Sequence, residues 1–334
     1  MKTLRGKTAA VVALFAVVGA AAIGYVRARR SHLSQGSPLP HLLAQLPPDA
    51  PTLIYLDLAA LRQSGFLRHR QAPLADVAPE SDYKDFVQAT GFDFERDLDR
   101  LAIAAWPDPG PGQHNKSVAV AEGRFDQPRI RAYAQRGGRI EQQEGREVLV
   151  FPGSKPSERN SLTLLNDHTV MFVQGPSIAP FLGTDSTTPS PDPARDRAVQ
   201  VAAADFFLIT RMPAIPSNFS AAGIESAPMA NLIRSVQWLT LAARPEGDNL
   251  RVSLEGDCAT GADARQLESA LETLRLFARA ALEKERPHSQ DSKAIELWES
   301  LLKSADITQS GERVRILLEL PPEVLDYAGP KKTP

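Results

Sequence analysis

The chain has 334 residues. A single domain needs about 100–200, so two lobes are expected. Its 43% hydrophobic and 23% charged residues exclude wholesale disorder, and its net charge of −2 excludes a global basic field for nucleic acid. The one cysteine, Cys258, excludes a disulfide framework and a multi-cysteine metal site.

Lys2, Arg5 and Lys7 precede an uncharged run from Thr8 to Val26, and Arg27, Arg29 and Arg30 end it. As a helix the run would span about 28 Å, close to the hydrocarbon thickness of a bilayer. Residues 8–26 therefore read as an uncleaved signal-anchor in the lipid bilayer, although Ala20-Ala21-Ala22 offers a small-residue cleavage site. Basic residues flank both sides. The short head, with its α-amine, favours a single-pass protein of the cell membrane whose body lies outside the cytoplasm, periplasmic or extracellular. Arginines outnumber lysines 28 to 10, a composition typical of GC-rich bacterial coding.

Punctuation divides the remainder. Residues 1–30 are the anchor and 31–50 a Ser/Pro-rich stalk. Residues 51–183 form a first α+β lobe, 184–200 a linker around Pro191-Asp192-Pro193, 201–329 a second α+β lobe, and 330–334 a tail. The lobes share a pattern. LAIAAWP at 101–107 matches LTLAARP at 239–245, and VAVAEG at 118–123 matches RVSLEG at 251–256. This internal duplication predicts two related ferredoxin-like (βαββαβ) lobes with antiparallel sheets, in which Leu101 is equivalent to Leu239 and Gly123 to Gly256.

Capping chemistry places the helices. Gly91 ends a helix over 82–90, and Asp93 caps one further turn. Asp126 caps a helix that Gly137-Gly138 ends. Thr260, with Asp263 three residues on, caps a helix carrying Leu267, Leu271, Leu274, Ala278 and Ala281 as one stripe. A last helix spans 291–304 with Ile295, Trp298, Leu301 and Leu302 inward. Short apolar runs at 147–151, 162–165 and 169–173 read as strands, the last two turned by Asn166-Asp167-His168.

Catalytic motifs fail one by one. Asp93, Glu95, Asp97 and Asp99 alternate like calcium ligands. An EF-hand needs Gly and Glu where Leu98 and Ala104 stand. There is no G-x-S-x-G elbow, no close histidine pair and no glycine-rich phosphate loop. Ser300 and Lys303 match S-x-x-K but lack their partner motifs. Cys258 follows Asp257, which disfavours a thiolate. No metal, cofactor or catalytic residue is assigned.

LPPDAPTLIYLDLAALRQSGFL at 46–67, TGFDFERDLDRLAIAAW at 90–106 and AEGRFDQPRIRAYA at 121–134 follow the anchor. In this layout the chain resembles uncharacterised membrane-anchored bacterial envelope proteins built on domains of unknown function. The resemblance implies anchoring and a duplicated α+β body, and it brings no catalytic residues. The expectation is a non-enzymatic binding or scaffolding protein with an envelope protein partner. The alternative is a hydrolase whose site assembles from Asp97, Asp99, His168 or Cys258.

Overall fold

A computed structural model describes residues 41–68, 81–106, 116–152, 159–175, 177–182, 192–212, 235–286 and 292–328. The apolar run 8–26, the start of the stalk, Pro191 and the tail lie outside the described residues. Among the described residues no helix is long and apolar enough to cross a membrane.

In chain order the elements are α1 (His41–Ala44), β1 (Thr52–Asp57), α2 (Leu58–Gln63), α3 (Gly65–Arg68), α4 (Ser81–Thr90), α5 (Phe94–Asp97), β2 (Leu98–Trp106), β3 (Lys116–Gly123) and α6 (Gln127–Gly137). They continue with β4 (Arg139–Gln143), β5 (Arg146–Pro152), β6 (Arg159–Asn166), β7 (Thr169–Gln174), α7 (Ala179–Leu182), α8 (Pro193–Gln200) and β8 (Phe206–Arg211). Then come β9 (Val236–Glu246), β10 (Asn249–Cys258), α9 (Gly261–Glu285), α10 (Ser292–Ser304), β11 (Asp306–Ser310), β12 (Arg313–Leu320) and α11 (Leu325–Ala328). The protein is a mixed α+β fold dominated by antiparallel sheet. The described residues form two compact units, one from 41–60 and 81–209, the other from 61–68 and 210–328.

In the first unit the strands lie in the order β8-β1-β2-β3-β7-β6-β5-β4. Every pairing among β1 to β7 is antiparallel. One face is dry. The cross-strand rows Leu53–Ala104–Val118–Val173–Ser161 and Tyr55–Ala102–Val120–Met171–Thr163 are buried throughout. The same face carries a charged row, Asp57–Arg100–Glu122. Arg100 donates to Asp57 and Glu122 at 3.1 Å each. His41 of α1 reaches Glu122 from above. Burial, then the Asp57 carboxylate, push the Tyr55 phenol up to about 12. On the other face, Ile130 and Ala134 of α6 pack on Leu149, with Phe125, Ile140, Phe151 and Leu162 around them.

In the second unit the order is β9-β10-β12-β11, again antiparallel. Its core joins Val236, Cys258 and Val314 to Ala264 and Leu267 of α9.

The predicted caps are in place. The side chains of Asp93, Asp126 and Thr260 accept from the backbone N–H groups of Glu95, Arg129 and Asp263. Gly91, at φ +73°, ends α4, and its N–H donates to the Val87 carbonyl at 2.8 Å. Two stretches read as connectors are ordered instead. Residues 41–46 bury Leu42, Leu43 and Leu46. Residues 193–200 form α8, because Asp192 caps it and Pro193 presets its first turn.

The ferredoxin-like order is corrected. That topology sets the first strand between the third and the last. Here β1-β2-β3 is a meander, and β7 returns beside β3. Each of the two hairpins β2-β3 and β9-β10 also carries a bulge. Leu98 faces Gly123 and Arg100 faces Glu122, so Asp99 bulges from β2. Val236 faces Cys258 and Trp238 faces Asp257, so Gln237 bulges from β9. If the two hairpins were aligned on their bulges, Leu101 would fall on Leu239, Gly123 on Cys258 and Ala121 on Gly256.

Candidate functional site

Three chain segments meet at one end of the first unit's sheet: the approach to β2, the exit of β3 and the turn into β7. Gly123 ties them together. Its N–H donates to the His168 carbonyl at 2.9 Å, and the next N–H, of Arg124, donates to the Asp97 carbonyl at 2.8 Å. Only glycine fits there, since a Cβ would lie 2.2 Å from the Asp97 oxygen.

These ties frame an open cavity of about 440 Å³, whose walls include Phe92, Arg96, Asp97, Arg124, Phe125, Asp126, Arg129, Asp167 and His168. Phe92 and Phe125 stack at 5.3 Å and continue an aromatic chain through Phe86 and Tyr133 to Phe151. Thr90 is spent on structure: its hydroxyl donates to the Phe86 carbonyl at 2.7 Å and accepts from Phe92 N–H at 3.2 Å.

Asp97 is the electrostatic hub. Its carboxylate accepts from Arg96 Nε at 2.9 Å, Arg96 Nη2 at 2.6 Å and Asp93 N–H at 2.9 Å. Arg124 Nε stands 3.6 Å away. The Arg96 hydrogen bond, against some desolvation, holds this carboxyl below the usual carboxylate range. Arg96 also donates to the Gly91 carbonyl at 2.8 Å, and Arg124 reaches the Arg96 carbonyl. Arg129 lies 3.3 Å from Asp126, and Gln127 donates to Asp167 at 3.2 Å.

Of the four residues of the hydrolase alternative, the structure brings Asp97 and His168 to one cavity. Asp99 occupies the bulge of β2 and is not among the lining residues. Cys258 is buried in the core of the other unit, where desolvation pushes its thiol up. Trp106 holds Lys116 at 4.4 Å in a cation–π contact, and Trp238 pairs with Asp257. The arginines were missed by sequence reading; the run of basic residues at 96, 124 and 129 flanking phenylalanines was the available signal. Among the described residues no group of three His, Cys, Asp or Glu is placed to hold a metal ion.

A carboxylate already bound by a guanidinium and a backbone N–H is a poor base, and Thr90, the hydroxyl-bearing wall residue, is buried and engaged.

No family model and no curated protein matches the chain. Among solved structures it is similar to TP0453. Crystal form I gives a TM-score of 0.44 at 10% identity, covering 88% of this chain and 97% of that one. Crystal form III gives 0.47 at 10% identity, with 86% and 96% covered. Crystal form IV gives 0.45 at 10% identity, with 88% and 98% covered.

Proposed function

We propose that this chain is a non-enzymatic binding protein of the bacterial envelope. Residues 8–26 fix it in the membrane, the body lies outside the cytoplasm, and the arginine-rimmed cavity is where it takes its ligand or partner. The observation that carries the binding reading is Asp97: the one buried carboxylate of the cavity is committed to Arg96 and Asp93.

The two units read as copies of one ancestor. Each has a hairpin bulged near its start, then helix (α6 in the first, α9 and α10 in the second), then consecutive antiparallel strands (β4 to β7, or β11 and β12) whose last strand pairs with the second strand of the bulged hairpin. Phe172 of β7 and Ile316 of β12 then correspond, and their partners Leu162 and Ile307 correspond with them.

Two experiments test the functional reading. The full chain, expressed in a bacterium, should sediment with membranes and be released only by detergent; recovery in the soluble fraction overturns the anchor. The purified chain should turn over no ester, phosphoester, peptide or glycoside. A hydrolytic rate abolished by His168→Ala overturns the non-enzymatic reading and restores the hydrolase built on Asp97 and His168.

A further inference from the structure

Resting on the reading of this cavity as a binding site, we propose that it captures a small oxyanion, the phosphate or carboxylate head of a larger molecule. Arg96, Arg124 and Arg129 hold the head, and Phe92 and Phe125 meet what is attached to it.

The argument is one of donors and access. Each guanidinium carries five N–H donors in a planar fork that matches an oxyanion. Arg96 spends Nε and Nη2 on Asp97 and Gly91. Arg124 gives Nη2 to the Arg96 carbonyl, and its Nε, at 3.6 Å from Asp97, makes an ion pair without a hydrogen bond. Arg129 keeps Nε 3.3 Å from Asp126. Its Nη1 lies over Gly91, 2.9 Å from where a Cβ would be. Among the described residues, the Nη groups of all three therefore have capacity beyond these partners.

Formal charge in the lining balances, three arginines against three aspartates, so access decides. Asp97 contacts Arg96 and Arg124, Asp126 contacts Arg129, and Asp93 adds its field at Arg96. Asp167 keeps its charge, because the Gln127 amide that donates to it is neutral. Access favours the cations. The arginine side chains are 61–62% exposed against 11% for Asp97 and 47% for Asp126, so an entering anion meets guanidinium first. The cavity, about 440 Å³, is larger than a bare oxyanion needs, and its stacked phenyl rings suit an apolar or aromatic body.

The test uses the full chain in neutral detergent. Calorimetric titration with phenyl phosphate and with benzoate should give a dissociation constant of about 1 mM or below. Inorganic phosphate should bind more weakly, and benzyl alcohol should not bind. Arg124→Gln with Arg129→Gln should weaken phenyl phosphate at least tenfold. Arg146→Gln, an exposed arginine outside the cavity, should leave it unchanged. If the double variant misfolds by circular dichroism, Arg129→Gln alone should still lower affinity, since that side chain's ion pair is with the exposed Asp126. Two sources of the head are then separated in nanodiscs. Phosphatidic acid added to phosphatidylcholine should compete with phenyl phosphate if the ligand is a lipid headgroup, and should leave it unchanged if the ligand is a free molecule. No binding of either aromatic anion, or equal affinity in the folded double variant, overturns the proposal. If the chain is then still found in membranes without hydrolytic activity, only the ligand class has failed.

Discussion

Gly123 and Asp97 approach so closely that a Cβ on the glycine would stand 2.2 Å from the aspartate's carbonyl oxygen. The neighbouring Arg124 N–H donates to that same oxygen. The contact is backbone on backbone, so no side-chain rotation relieves it. Gly123→Ala must open the end of β2 from β3, at a cost of about 1–3 kcal/mol or more. Gly256, its apparent counterpart in sequence, would place a Cβ 3.4 Å from Val236 Cγ1 and has no positive φ. Gly256→Ala should therefore shift stability by no more than about 1 kcal/mol. Amide hydrogen exchange followed separately in the two units checks both. Equal effects would show that the Asp97 carbonyl is not what restricts position 123.

That contrast explains what was legible in the sequence. Caps act within three residues, so Asp93, Asp126 and Thr260 declared their helices directly. Gly91 declared a helix end for the same local reason. Strand order is set by partners far apart in the chain, and the return of β7 beside β3 left no local mark. The shared Glu-Gly pairs drew the eye to Gly123 and Gly256. Register is fixed by the bulges at Asp99 and Gln237, which carry no shared residue type. The hairpin between β4 and β5 was also hidden, because its turn uses Glu144 at φ 50° before Gly145 where Asn or Asp is usual. The cavity combines these problems. Asp97, Arg124 and His168 meet only because β2, β3 and β7 are neighbours.

Asp97 should confer acid sensitivity on its segment. Its folded pKa lies below the unfolded value, so its contribution is fully present above about pH 4 and is lost as pH falls through the folded value. Asp97→Asn keeps the shape but loses the charge-assisted bonds to Arg96. The Asp93 amide, which donates to Asp97, should lose protection on the order of 1 kcal/mol at pH 7. Its residual protection should no longer depend on acid once intrinsic exchange rates are corrected. Unchanged protection would show that Asp97 is not what orders α5.

Asp205 has the opposite sign. Burial pushes its carboxyl up to about 7, while its backbone carbonyl accepts from the Asp57 N–H at 2.7 Å. The folded state holds a proton that the unfolded chain gives up near pH 4, so stability falls as pH rises from about 4 to about 7 and is level above. Asp205→Asn removes the charge and keeps the shape. The variant should be more stable than the native chain at pH 8 by roughly 2 kcal/mol and equal to it at pH 4. Denaturant titrations at the two pH values decide. A gain of equal size at both would mean that ionisation is not the cause.

The proposed membrane topology is open to chemical labelling, because the chain has one native thiol. Cys258 is 3% exposed, and burial raises its pKa, so it should resist modification in the folded protein. A second thiol, Ser190→Cys, falls in the proline-rich stretch between the predicted lobes. Lys2, Arg5 and Lys7 favour retention of the segment before the apolar run, while Arg27, Arg29 and Arg30 oppose export of the body. With the head retained, a membrane-impermeant maleimide that passes the outer envelope should label residue 190 in intact cells. Cys258 should react only after denaturation. Labelling of residue 190 that requires opening of the inner membrane would put the body in the cytoplasm and remove the envelope reading. Rapid labelling of Cys258 in the wild-type chain would instead show that the core around Val236, Ala264 and Leu267 opens readily.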